Sequence, residues 1–216
     1  MINVRTFQCN MLQENCYVVS DETREAVIID CGAFYNEENA AISQYIEQQQ
    51  LKPMHLLCTH GHFDHNFGVQ FLNTAFGLQP ELHADDEFLY NASWEQAGEM
   101  LGTTFNNGCM PPIGHYLTDG EHITFGTHQL QALHTPGHSP GGMIFYCAEE
   151  KVVFTGDTLF RMSVGRTDLH RGSWGDLINS LQTIVAKLPA DTKVYCGHGP
   201  HTTIGDELRY NPFLKG

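Results

Sequence analysis

Short apolar runs open the chain: Ile2 to Cys9, Cys16 to Ser20 and Ala26 to Gly32. The charged stretch Asp21-Glu22-Thr23-Arg24-Glu25 between the last two marks a hairpin turn, so the spacing predicts an antiparallel β start. From Asn36 to Gln50, apolar residues at Ala40, Ile42, Tyr45 and Ile46 follow a helical period, and the helix is expected to stop before Pro53. Met54 to Cys58 predicts a short buried strand. It leads into Thr59-His60-Gly61-His62-Phe63-Asp64-His65 and then a helix reaching about Phe76-Gly77. Asp85, Phe88, Leu89, Ala92, Trp94 and Leu101 predict a helix over 85–101.

The Gly-, Pro- and Asn-rich stretch from Gly102 to Gly114 is expected at the surface, either as a lid or as a loop without function. Strands are predicted at His122–Phe125, Gln129–His134, Gly142–Cys147 and Val152–Thr155, then a helix over Trp174–Leu188 and a strand over Lys193–Cys196. With no linker and no low-complexity segment, this order predicts an α/β fold in one domain over 1–216. Its helices would lie outside two sheets or one large sheet.

Composition narrows the function. Lys and Arg number 11 against 25 Asp and Glu, a net charge of −14 in 216 residues, which argues against nucleic acid and anionic membranes as partners. No run approaches the length of a membrane-spanning helix, and the first residues carry no signal-peptide pattern. The seven cysteines include no Cys-x-x-Cys pair, so free thiols and a cytoplasmic location are expected. Histidine is the outlier: the 13 His outnumber Lys and Arg together.

Those histidines are not scattered evenly. His60, His62, Asp64 and His65 fall at a strand-to-helix junction, and three imidazoles with a carboxylate in so short a span serve no packing purpose. Gly61 lets the backbone bend tightly between the first two. One ion rarely takes four ligands from such a span, so the spacing predicts two metals. One would be held by His60 and His62, the other by Asp64 and His65. Three more candidates lie in Gly-rich loops at predicted strand ends. His138 would complete the first metal and His198 the second, and Asp157 could place an oxygen on each. A hydroxide shared between metals about 3.5–4 Å apart is then the expected nucleophile. A closed structural zinc is disfavoured, because such sites prefer Cys and need only four ligands.

The heptapeptide Thr59 to His65, followed in order by His138, Asp157 and His198, resembles the metallo-β-lactamase superfamily. Ile28-Ile29-Asp30-Cys31-Gly32 resembles its first motif, and the likeness extends over about residues 15 to 205. The resemblance implies a four-layer αββα sandwich with the metals at one edge of the paired sheets. It also implies that Asp30, with Thr59 beside the first ligand, supports the ligands from behind. Asp157 in Gly156-Asp157-Thr158-Leu159-Phe160 and the tail Gly197 to Gly205 are similar to the glyoxalase-II-like branch, in which an Asp bridges the metals. Eighteen residues follow His198, too few for the helical domain that holds glutathione in full-length glyoxalase-II enzymes. The resemblance therefore implies thioester or ester hydrolysis without the glutathione specificity.

Arg161, Arg166 and Arg171, with His170, follow closely on Asp157. They suggest a positive patch for a small anionic substrate, or, for Arg166, a local pair with Asp168. Phe63, Phe160, Met162 and Trp174 are candidates for the walls of the site or for the core. The expected chemistry is hydrolysis by two divalent ions, zinc first, with iron or manganese also suited to these donors. Asp64 would both bind metal and orient or accept the proton of the nucleophile. A lactonase is one alternative on the same fold. Another is a mononuclear iron persulfide dioxygenase using a set such as His60, His138 and Asp157.

Overall fold

Ala26 and Ile28 pack on one side of their strand and Val27 and Ile29 on the other, all four closed off from water. A strand buried on both faces needs a layer against each, and that requirement sets the architecture. The computed structural model describes residues 1–105 and 109–214.

The first sheet runs, in spatial order, β1 (Asn3–Cys9), β2 (Glu14–Ser20), β3 (Glu25–Ile29), β4 (Lys52–Leu57), β5 (Pro80–His83) and β6 (His115–Leu117). Its first three strands are antiparallel and the rest parallel. The second sheet holds β7 (His122–Phe125), β8 (His128–His134), β9 (Met143–Cys147) and β10 (Val152–Gly156). A small hairpin, β11 (Leu159–Phe160) with β12 (Ser163–Val164), interrupts before β13 (Lys193–Cys196) and β14 (Thr202–Thr203) complete it. Only β10 and β13 pair in parallel within this second sheet.

Between the sheets, Val27, Ile29 and Leu57 meet Phe125, Phe145 and Phe154. Outside the first sheet, α1 (Asn36–Gln48) contributes Ile42 and Ile46, and α2 (Val69–Phe76) contributes Val69 and Leu72. Outside the second, Leu177 and Leu181 of α5 pack with Ile204 against Val153 and Val194. Here α3 is Glu87–Asn91, α4 Ser93–Leu101, α5 Trp174–Thr183 and α6 Ile204–Tyr210. The layers are the four-layer αββα sandwich.

Several boundaries differ from the expectation. Pro53 lies inside β4, at the register shift opposite Ala26 and Val27, where a strand tolerates a residue without an N–H. The helix expected over 85–101 is broken at Ala92 into α3 and α4, after a 3-10 turn at Ala84–Asp86. At the break, Ser93 Oγ turns back to donate to the Tyr90 carbonyl at 2.7 Å. The helix after His65 begins only at Val69, with a 3-10 turn over Phe63–His65. The helix from Trp174 ends at Thr183 and gives way to a 3-10 turn over Val185–Lys187.

Among the described residues no helix is long and apolar enough to cross a membrane. All seven cysteines are free thiols, six of them buried. Part of the 102–114 segment, residues 106–108, lies outside the described residues, and so does the question of a lid there.

Candidate metal centre

Each predicted ligand stands just beyond the C-terminal end of a strand: His60 and His62 after β4, His138 after β8, Asp157 after β10 and His198 after β13. Asp64 and His65 follow in the 3-10 turn that His62 caps. Loops from both sheets therefore meet at one edge of the sandwich.

Six of these side chains gather in two groups of three. Donor atoms of His60, His62 and His138 lie within 4.8 Å of one another, and so do those of Asp64, His65 and His198. His62 Nδ1 is 2.9 Å from His138 Nε2, and His65 Nε2 is 3.3 Å from His198 Nε2. Asp64 Oδ2 is 3.2 Å from His198 Nε2. Asp157 stands between the sets: its Oδ1 is 3.3 Å from His65 Nε2 and its Oδ2 is 3.5 Å from His138 Nε2.

The outer nitrogens of these imidazoles are already committed. His138 Nδ1 donates to the Arg166 carbonyl at 2.7 Å, and His198 Nδ1 to the Leu12 carbonyl at 3.1 Å. His65 Nδ1 donates to Asp30 Oδ2 at 2.9 Å. Thr59 Oγ1 gives its own proton to Asp30 Oδ2 at 2.8 Å and so accepts from His60 Nδ1 at 3.0 Å. Each of these four rings therefore turns its Nε2 inward. His60 Nε2 and Asp157 Oδ1 are buried with no hydrogen-bond partner. Convergent lone pairs and orphaned acceptors are costly in the absence of a cation, and neutral imidazoles with carboxylates are the donors that divalent ions accept. The residues fit two such ions.

Electrostatics divides the two sets. Burial, then the neighbouring imidazoles, drive His60 well below the usual histidine range, and burial with His138 pushes His62 down to about 3. Burial also opposes charge on His65, but Asp157, Asp30 and Asp64 outweigh it and hold the ring well above the usual range. At Asp157 burial opposes ionisation and loses to His65 and His138, so the carboxyl lies well below its ordinary range.

Asp30 and Thr59 occupy the supporting places expected, and Thr59 N donates to Asp30 Oδ1 at 2.7 Å. The sequence reading missed a second support, Asp86. Its Oδ2 accepts from Gly61 N at 2.8 Å and Ser139 Oγ at 2.7 Å, and its Oδ1 from Gly141 N at 2.6 Å, clamping the two ligand loops together. Also missed were Asn66, whose amide donates to the His60 and His62 carbonyls, and Asn10, which donates to the Asp64 carbonyl. Glu14, fully buried, accepts from Gly32 N at 3.0 Å. The one local signal was the polar pair Glu14-Asn15 set directly against an apolar strand.

The arginines do not form one patch. Arg166 and His170 line the cleft of about 640 Å³ that opens on the centre, with His62, Asp64, His138 and His198 at its base. Arg166 is paired with Asp168 through Nε and Nη2 at 2.6 and 2.7 Å. Arg161 corrects the expectation: it lines a separate groove with Lys193 and Tyr210, because the β11–β12 hairpin carries it away. Arg171 does too, its guanidinium lying over the Phe88 ring at 4.3 Å, outside the cleft lining. Phe63 lines the cleft and the Phe160 ring lies 6.1 Å from His198, whereas Met162 joins Arg161's groove and Trp174 packs on Phe213.

Comparison with known proteins agrees with this geometry. The chain is 37% identical over 215 residues to hydroxyacylglutathione hydrolase GloC of Haemophilus influenzae, covering 99% of each protein. Among solved structures, the di-iron-bound form of TTHA1623 superposes with a TM-score of 0.85 at 39% identity, covering 98% of this chain and 100% of that one. BLEG-1 B3 metallo-beta-lactamase does so with a TM-score of 0.86 at 35% identity, covering 100% of each. The family model of the metallo-beta-lactamase superfamily matches residues 9–198, from the end of β1 through His198. With its fold, its ligand order and that match in agreement, the chain belongs to the metallo-beta-lactamase superfamily.

Proposed function

We propose that this member of a metallo-hydrolase superfamily cleaves the thioester or ester bond of a small acyl compound, using two divalent ions held by seven side chains. The observation that carries the reading is Asp157, whose two oxygens face two separate imidazole sets. His60, His62 and His138 would hold one ion with Asp157 Oδ2, and Asp64, His65 and His198 the other with Asp157 Oδ1. When bound, such ions bring the pKa of water toward neutrality and polarise an acyl carbonyl.

The chain's own groups supply the rest. Asp30, Thr59, Arg166 and Leu12 fix the ring tautomers through hydrogen bonds to the outer nitrogens. At Asp64 burial opposes ionisation, but His65 and the hydrogen bond from His198 outweigh it and lower its pKa, leaving a carboxylate at the base of the cleft. There it is placed to orient the attacking water and take its proton.

The name of the Haemophilus relative supports a thioester substrate, and the di-iron relative supports iron as well as zinc for such a donor set. A mononuclear dioxygenase would leave Asp64, His65 and His198 gathered without a purpose. The test is metal analysis of protein purified without added metal, joined to a panel of thioesters, lactones and persulfides. Two ions per chain and thioester turnover without oxygen uptake are expected, both lost in His60→Ala and Asp157→Ala. One iron per chain with oxygen uptake on a persulfide would overturn it, and so would thioesterase activity in a metal-free variant.

A further inference from the structure

The cleft's walls differ from its base. Leu12, Phe63, Leu89, Met100 and Leu169 line them. Leu12, from the turn between β1 and β2, is 39% exposed, and Met100, at the end of α4, is 51% exposed. Large apolar side chains standing in water at the mouth of a cleft mark a surface that an apolar ligand covers. Covering them recovers free energy in proportion to the apolar area removed from water.

The charges on the same walls point the same way. Glu99, exposed on α4, also lines the cleft. Arg166, the arginine of the lining, is already closed on Asp168 by two short hydrogen bonds. A carrier bearing carboxylates would sit near Glu99 and meet an arginine whose charge Asp168 already offsets. Like-charge juxtaposition of this kind selects against a ligand more strongly than a missing contact does.

We infer that the acyl group beside the scissile bond is an uncharged apolar chain seated against Leu12 and Met100, and that Glu99 disfavours anionic carriers. The substrate class is then an apolar acyl thioester of an uncharged or weakly charged thiol. The inference rests on the hydrolase reading above.

It is tested on the metal-loaded protein by kcat/KM for two matched series. One carries acetyl to octanoyl groups on N-acetylcysteamine, the other the same acyl groups and lactoyl on glutathione. The value is expected to rise roughly threefold per added methylene until the cleft is filled. At equal acyl group the uncharged carrier should win, and Glu99→Gln should narrow that gap. Met100→Asp, checked for an unchanged melting temperature, should cut octanoyl turnover at least tenfold more than acetyl turnover. A flat or falling series would overturn the inference, as would a preference for lactoylglutathione that Met100→Asp leaves intact. Inactivity toward every member of both series would sink the hydrolase reading itself, and this inference with it.

Discussion

Asp30 Oδ2 accepts the Nδ1–H of His65 at 2.9 Å, in a contact where neither side chain is more than 2% exposed. The same carboxylate takes the Thr59 hydroxyl and amide, so one residue at the end of β3 sets the tautomers of both His60 and His65. In Asp30→Asn an amide N–H can face the imidazole N–H, and His65 relieves the clash by moving its proton to Nε2. Metal affinity at the Asp64–His65–His198 set should then fall about 10–100-fold. A competitive chelator titration reads this, and wild-type affinity for both ions would contradict it.

Proton competition separates the two sets. Burial holds His60 and His62 neutral, so neither of these two rings has a proton for an arriving ion to displace. Burial disfavours a proton on His65 and His198 as well, but it is outweighed, by Asp157 with Asp30 at His65 and by Asp64 with Asp157 at His198. Their raised pKa means that an ion arriving at that set must displace protons. Its affinity therefore drops as pH falls, by up to about tenfold per pH unit for each proton displaced. Dialysis from about pH 8 to about pH 5 should take the protein from two ions to one before the second is lost. In His198→Gln the single remaining ion should persist to the lower pH, and simultaneous loss of both ions in the wild type would refute the division.

The seven candidate donors were legible in the sequence because imidazoles and carboxylates packed into residues 60–65 have no use in a core, and the remaining three sit in Gly-rich strand ends. The groups that hold them were not, because their partners are distant. Asp86 looks like one more acid at a helix start, yet it bonds residues 25 and 55 positions away. β5 and β6, four and three residues long, carry no alternation to detect, and exist because β4 offers β5 a parallel edge and β5 then offers one to β6. β14 and α6 escaped for the same reason of length. The arginine patch failed because nearness in sequence does not survive a hairpin: Arg161 sits in the β11–β12 turn, and β12 lies between it and Arg166.

Asp86 is the structural counterpart of that lesson. Its acceptors join the Gly61 turn to Ser139 and Gly141, so Asp86→Ala leaves buried donors without partners on both sides of the centre. We expect a loss of about 2–4 kcal/mol in urea unfolding. Weaker metal binding should appear first at His60, His62 and His138, whose loops it ties. An unfolding free energy within about 0.5 kcal/mol of wild type would show that the clamp carries no weight.

Gly197 gives the most direct test of where Asp157 must stand. A Cβ on Gly197 would lie 2.3 Å from Asp157 Oδ1 and 2.7 Å from His65 Cε1. The loop cannot retreat, since Gly197 N donates to the Gly156 carbonyl and its own carbonyl accepts from Asn15 N, each at 2.8 Å. In Gly197→Ala the carboxylate and the imidazole must move instead, at an overpacking cost of about 1–3 kcal/mol. The protein should still fold but retain at most one ion, with hydrolysis lost. Gly199→Ala is the control: it sits at φ +76 with nothing within 4 Å of the added carbon. It should cost about 1–2 kcal/mol in left-handed backbone strain while keeping both ions. Metal analysis and thermal melting of the two variants side by side read the difference. Two ions and full activity in Gly197→Ala would mean that Asp157 does not join the two sets.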